Sequence, residues 1–245
     1  MIILILSIFT ILTFYGFMFI KNRFASILVG GISIIILAVS TLGLTLHMTN
    51  NWGMKEVTTT TKTPIYTAGE TSASFGMLIK SEIGKSSGNY VFVYRQNKDD
   101  KNAKPHFVPD QKHIVNAVRK SATYKMVDSS TAQVVSTTTK REFSSNLMKM
   151  LFGIGDENNE LVKQTNVVEV PKSSWIVLTA DQAKELGTKM AAAQKEQQAA
   201  IQKQLAEVPA AARPAAEAQI KAKQEAAMSN PETMIAQIKE ILNIK

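Results

Sequence analysis

The sequence predicts a membrane-anchored α+β protein: an N-terminal two-helix transmembrane hairpin, a small antiparallel β domain (sheet or barrel) and a C-terminal α-helical tail. Three observations carry that expectation. Residues 1–46 hold only two charges, Lys21 and Arg23. Residues 54–180 alternate apolar, aromatic and β-branched runs with turn-forming clusters. Residues 181–245 are rich in alanine and glutamine and end on an amphipathic segment.

Met1–Ile20 and Phe24–Leu46 are uncharged runs, and the helices are expected at about 1–20 and 24–46. At about 1.5 Å per residue each covers the roughly 30 Å hydrocarbon core. Only a helix places that much backbone in lipid without orphaned polar groups. The linker Lys21-Asn22-Arg23 is so short that the two must form a hairpin. The first run starts without a basic segment and ends without a small-residue cleavage site, so it reads as an anchor and not as a cleaved signal. On the second helix Ser26, Gly30, Ser33, Ser40 and Thr41 fall within an arc of about 100°. Small and hydroxyl residues let helices approach closely in lipid, so this face is expected to contact the first helix or another membrane protein. Lys21, Arg23 and Trp52 are read as membrane-interface residues. The basic turn favours the cytoplasmic side and would place the long C-terminal region outside, although Lys55 and Lys62 nearly even the count.

The 54–180 domain reads mostly as strands. Ala73–Ile83 and Tyr90–Arg95 flank Gly84-Lys85-Ser86-Ser87-Gly88-Asn89 and predict a hairpin. His113–Val127 and Ala132–Phe143 predict a second strand pair around Asp128-Ser129-Ser130, with 114–120 ambiguous between strand and helix. Ser145–Phe152 predicts a short apolar helix ending at Gly153. Asn166–Val170 and Ser174–Leu178 predict two more strands, parted by Pro171.

In the tail, Thr179 or Asp181 can cap a helix beginning near Gln182. Its apolar stripe (Leu186, Met190, Ala193, Ile201, Leu205, Val208) is thin, so it is expected to be solvated or lightly docked. Pro209 and Pro214 should break it, and a second helix is expected over about 215–228. Asn230-Pro231-Glu232 then starts a terminal helix, in which Met234, Ile235, Ile238, Ile241 and Leu242 form an apolar face. That face either packs on the sheet or its neighbour, or docks on a partner or the membrane surface.

Composition excludes several chemistries. There is no cysteine, so disulfides, thiolate nucleophiles and cysteine-ligated zinc are ruled out. Gly84-Lys85-Ser86 lacks the earlier glycine of a phosphate loop, because Ile79 stands there. His106 and His113, with Asp110 between them, read as surface residues. No serine lies in a nucleophile-elbow pattern. No catalytic, cofactor-binding or metal-binding residues are therefore assigned. The net charge is +8, and residues 47–150 carry 15 basic and 8 acidic side chains. That excess suits a solvated basic surface or anionic lipid and wall polymers, whereas no nucleic-acid motif accompanies it.

Four segments carry a resemblance. They are the N-terminal hairpin, Trp52-Gly53-Met54-Lys55-Glu56-Val57-Thr58, Tyr90-Val91-Phe92-Val93-Tyr94-Arg95, and Val170-Pro171-Lys172-Ser173-Ser174-Trp175-Ile176-Val177-Leu178-Thr179. Over about residues 1–190 the chain resembles a family of small membrane proteins of lactic acid bacteria known only as a domain of unknown function. The resemblance implies a topology and brings no catalytic residues.

The resulting expectation is a non-enzymatic envelope protein, multi-pass in the cell membrane. It would bind or support a membrane or wall component through its extracytoplasmic domain. Its partners would be the lipid bilayer and an anionic wall polymer or another membrane protein, with no nucleic acid and with the oligomeric state open. The alternatives are an envelope hydrolase whose site is invisible in sequence, and a cytoplasm-facing membrane adaptor.

Overall fold

The computed structural model describes residues 1–155, 157–207, 209, 218–222 and 228–244. The elements run in the order α1 (Ile2–Met18), α2 (Arg23–Asn50), β1 (Met54–Pro64), β2 (Gly76–Glu82), β3 (Tyr90–Tyr94), β4 (Lys104–His106), α3 (Ile114–Val118), β5 (Lys120–Val127), β6 (Gln133–Phe143), α4 (Asn146–Phe152), β7 (Glu160–Pro171), β8 (Trp175–Thr179), α5 (Ala180–Glu207) and α6 (Pro231–Ile241). They form two compact units. The first holds residues 1–59 and 138–163, and the second holds 60–137 and 164–245. The break expected at Pro214, the side chains of Leu205 and Val208, and most of the helix expected over 215–228 lie outside the described residues.

In the first unit α1 and α2 run antiparallel about a short turn. Asn22 caps α2, its Oδ1 accepting from the N–H of Phe24 (3.0 Å) and Ala25 (3.4 Å). The buried positions are Ile2 and Gly16 on α1, and Gly30, Ser33 and His47 on α2. Gly16 and Gly30 are where the two helices approach closely, whereas Ile2 and His47 are covered by Phe143 and Phe152. Most other large side chains of both helices, such as Ile11, Phe24, Ile35 and Val39, are exposed. By length and composition α2 could cross a membrane, whereas α1, at 17 residues, is a shorter apolar helix. Asn51 ends α2 in the left-handed conformation (φ 54°) with its N–H on Leu46 O, the usual way of satisfying a last carbonyl. Below this end, Ile2, Phe143 and Phe152 form a small core with Leu6, Leu44, Met54, Met148 and Leu151 around it.

Two antiparallel-rich four-stranded sheets have the orders β1-β6-β7-β5 and β4-β3-β2-β8. The hairpin expected around residues 84–89 is present: β2 pairs antiparallel with β3, Glu82 opposite Tyr90. Each sheet also contains a parallel pair, which corrects the purely antiparallel expectation. β2 runs parallel to β8, with Gly76 opposite Trp175, and β5 runs parallel to β7, with Lys120 opposite Gln164. β5 and β6 are consequently not partners, because β7 lies between them. Asp128-Ser129-Ser130 reverses the chain as a turn would, but each residue of β5 is paired with one 44 positions downstream, and no local pattern encodes that.

In the second unit the sheets face each other across a core containing Leu78, Phe92, Tyr94 and Trp175 from one and Ala122, Val134, Val168 and Val170 from the other. Alternation along β8 sends Trp175 and Val177 into this core and Ile176 and Leu178 to the opposite face. α5 and α6 cover that face with Leu186, Ile235, Ile238 and Leu242. Thr179 and Gln182 form a reciprocal capping box at the start of α5, at 2.8 and 3.2 Å. Asn230 caps α6 through Glu232 N–H and Thr233 N–H.

Candidate functional site

The second unit carries a groove of about 400 Å³. That is within the range of small-molecule sites. Ile83, Ser87 and Asn89 of the β2–β3 loop form one wall. The loop doubles back tightly, with Gly84, Ser86 and Gly88 all at positive φ, and Ser87 Oγ donates to Ile83 O at 2.6 Å. Phe107, Val108, Pro109 and Asp110 form the facing wall, and Gln164 and Asn166 of β7 the floor. Phe107 has φ 63°. A bulky side chain there is strained, and such strain persists only where surroundings hold it. The holders are Phe92, edge-on at 6.4 Å, and Tyr94, tilted at 6.4 Å.

The floor is polar but satisfied. Asn166 is 1% exposed. Its Oδ1 accepts from Ser136 Oγ (2.8 Å) and Gln164 Nε2 (3.3 Å), and its Nδ2 donates to Ser121 O (3.1 Å). The one carboxylate lining the groove is Asp110, which accepts from Lys112 N–H and His113 Nδ1, both at 2.8 Å. The bond from His113 holds that carboxyl below the usual carboxylate range. By contrast the lip is apolar. Val108 and Val118, which line it, are 60% and 80% exposed. Beside the groove, Lys80 Nζ donates to Tyr124 Oη (2.8 Å) and lies over the Tyr124 ring at 4.5 Å.

His106 stacks on Tyr94 at 3.9 Å and donates Nε2–H to the Tyr94 carbonyl at 3.2 Å. Burial lowers its pKa, partly offset by that bond. The folded ring therefore takes up a proton less readily than the unfolded one, whose pKa is about 6.5. The stability tied to His106 is present above about pH 6.5 and lost as pH falls below it. Thermal unfolding followed from pH 7.5 to 5 should show a falling midpoint, and His106→Gln should flatten that fall.

The residues singled out in the sequence disperse. Ser26, Gly30 and Ser33 lie on the α1 side of α2, and Ser26 Oγ donates to Gly16 O at 2.8 Å. Ser40 is half-buried. Thr41 does not join them: it is exposed and bonds back to Leu37 O. Lys21 and Arg23 are exposed at the turn, and Trp52 meets Phe152 edge-on at 5.9 Å. The α6 face is not open for a partner, because Ile235, Ile238 and Leu242 are buried, and Met234 and Ile241 half-buried, within the second unit. Among the described residues no three histidine or carboxylate side chains are grouped to hold a metal ion.

His47 is the residue whose surroundings the sequence hid. Its side chain is 3% exposed. Nδ1 lies 2.7 Å from Trp52 O and Nε2 2.9 Å from Glu157 Oε2, and the ring stacks on Phe143 (5.8 Å) and Phe152 (4.6 Å). Its carboxylate partner is 110 residues away, so no motif could have announced it.

A family model described as Domain of unknown function (DUF4811) matches residues 22–186. The match includes α2, the strands and the start of α5; it begins after α1 and stops before most of the Ala/Gln-rich tail. No curated protein and no solved structure matches the chain.

Proposed function

The chain belongs to the DUF4811 family, whose description assigns no activity, and from its own geometry we propose a non-enzymatic, membrane-anchored binding protein of the cell envelope. α1 and α2 form the anchor and cross the membrane as a hairpin. Their outward aliphatic and aromatic side chains would be costly in water and are at home in lipid. α1 spans about 26 Å, short of the hydrocarbon thickness by an amount that local thinning accommodates. The basic turn faces the cytoplasm, and the rest of the chain lies outside.

The observation that carries the binding role is the groove, with its satisfied polar floor, single carboxylate and exposed aliphatic lip. A wall polymer of sugars and phosphates alone would leave that lip uncovered. The fitting ligand is an envelope component with both an apolar and a polar part, such as a membrane protein segment or a lipid-linked molecule. A hydrolase would draw on the Asp110–His113 pair. Both side chains are more than half exposed, and His113 does not line the groove, so the pair is better placed to brace the loop.

Two measurements test this. Single cysteines at Ser173 and Asn22 should be labelled by a membrane-impermeant maleimide in intact cells and only after permeabilisation, respectively. The reverse pattern would make the protein a cytoplasm-facing adaptor. A photo-crosslinking residue at Asn89 should then capture an adduct that is absent from the same probe at Asn97 and lost with Val118→Asp. Equal yields from all three would sink the groove.

A further inference from the structure

We propose that α4 is an interfacial membrane element: it lies in the headgroup boundary of the leaflet at the α2 C-terminal end of the hairpin. This rests on the reading of α1 and α2 as a membrane anchor.

Three observations within the first unit fix its depth. Phe152, the last residue of α4, is 3% exposed and clusters with Ile2, at the start of α1, and Leu44 of α2. A Cβ built on Gly43 would touch the rings of both Phe152 and Trp52, at 3.7 Å each. Phe152 also stacks on His47. α4 is therefore seated at the level of residues 43–47 of α2, where the uncharged run ends. At that level the membrane gives way to its interface.

The two faces of α4 then divide. Met148, Leu151 and Phe152 point into the small core. Leu147 and Met150 lie one turn apart on one face of α4, and they and Ile154, just past its end, are about half exposed. Trp52, also about half exposed, meets Phe152 edge-on at 5.9 Å, as aromatic residues gather in a membrane-interface belt. An outward aliphatic face at this depth meets lipid, not water. Lys149 is exposed between them, on a side chain long enough to reach the headgroups. A segment 100 residues beyond the hairpin thus becomes part of the anchor. An occupant made of protein, a second copy included, would need a surface that already shares this level of the bilayer.

The cysteine-free chain permits a direct test. Full-length protein carrying a single Met150→Cys with an environment-sensitive fluorophore is reconstituted in vesicles of phosphatidylcholine and phosphatidylglycerol. Val39→Cys serves as the bilayer control and Asn97→Cys as the water control. The label at 150 should show blue-shifted emission, and shallow spin-labelled lipids should quench it more than deep ones. The label at 39 should favour the deep ones. Water-like emission at 150 with normal quenching at 39 overturns the inference and leaves the anchor standing. Blue-shifted emission at 150 that spin-labelled lipids do not quench assigns the face to a protein and overturns it too. Water-like emission at 39 removes the anchor and the inference together.

Discussion

Valine at position 16 will force α1 and α2 apart. A Cβ at Gly16 would sit 2.7 Å from Gly30 N and 2.9 Å from Gly30 Cα, both backbone atoms of the opposing helix. Real Cβ atoms do not approach that closely, and a backbone cannot rotate away as a side chain can. Overpacking of this kind costs about 1–3 kcal/mol, and in lipid close backbone approach is itself the main source of helix attraction. The shift would also stretch the Ser26 Oγ to Gly16 O bond, worth roughly 0.6 kcal/mol in such settings. Gly30 differs. The atoms nearest a Cβ there are outer ring atoms of Phe17, a side chain that is half exposed and free to swing. The expected order of damage is Gly16→Val, then Gly16→Ala, then Gly30→Ala. Cysteines at Thr13 and Ser33, three residues along the same antiparallel register, supply the readout. Their disulfide should form readily in the parent, slowly with Gly16→Ala, and barely with Gly16→Val. Equal rates in all three would show that the helices do not meet at this glycine pair.

What the sequence could reveal here follows the range of each interaction. Local patterns were readable: the apolar runs, the β2–β3 hairpin, the short helix between Ser145 and Gly153, and the caps at Thr179 and Asn230 all rest on residues a few positions apart. Pairings set by tertiary contact were not. Nothing near β5 says that Ala122 will sit beside Asn166, or near β2 that Gly76 will sit beside Trp175. Thr41 shows the same limit at smaller scale: within a wide arc of small residues, periodicity alone could not say which edge faces α1. The groove shares this fate. Its walls come from the 83–89 loop, the 107–110 loop, α3 and β7, and among its lining only Asp110 stood out beforehand, as a surface carboxylate. The cage of Phe143, Phe152 and Glu157 around His47 is likewise assembled from residues about 100 positions away, beyond any local pattern.

Alanine at position 76 should be among the most damaging single-methyl additions in the second unit. Gly76 opens β2, donates its N–H to Ser174 O at 2.7 Å, and stands opposite Trp175 in the parallel register. The Trp175 indole occupies the space a Cβ would need; the nearest atoms are Cε2, Cδ2 and Nε1. That indole is rigid and 9% exposed, in one core with Leu78, Phe92 and Val170. It cannot yield without disturbing neighbours that are themselves fully buried. A loss of about 3 kcal/mol is expected, a large share of the 5–15 kcal/mol that holds a domain folded. The contact is best tested through its partner. Trp175→Leu alone should cost a similar amount, because it leaves a cavity. In that background the added methyl has room, so Gly76→Ala should cost little more, and the two losses should fall well short of adding. Urea unfolding of the four proteins in the same detergent measures the cycle. A Gly76→Ala cost that is the same with tryptophan and with leucine at 175 would mean that the glycine is needed for its backbone alone, and the packing of β2 on β8 would have to be drawn differently.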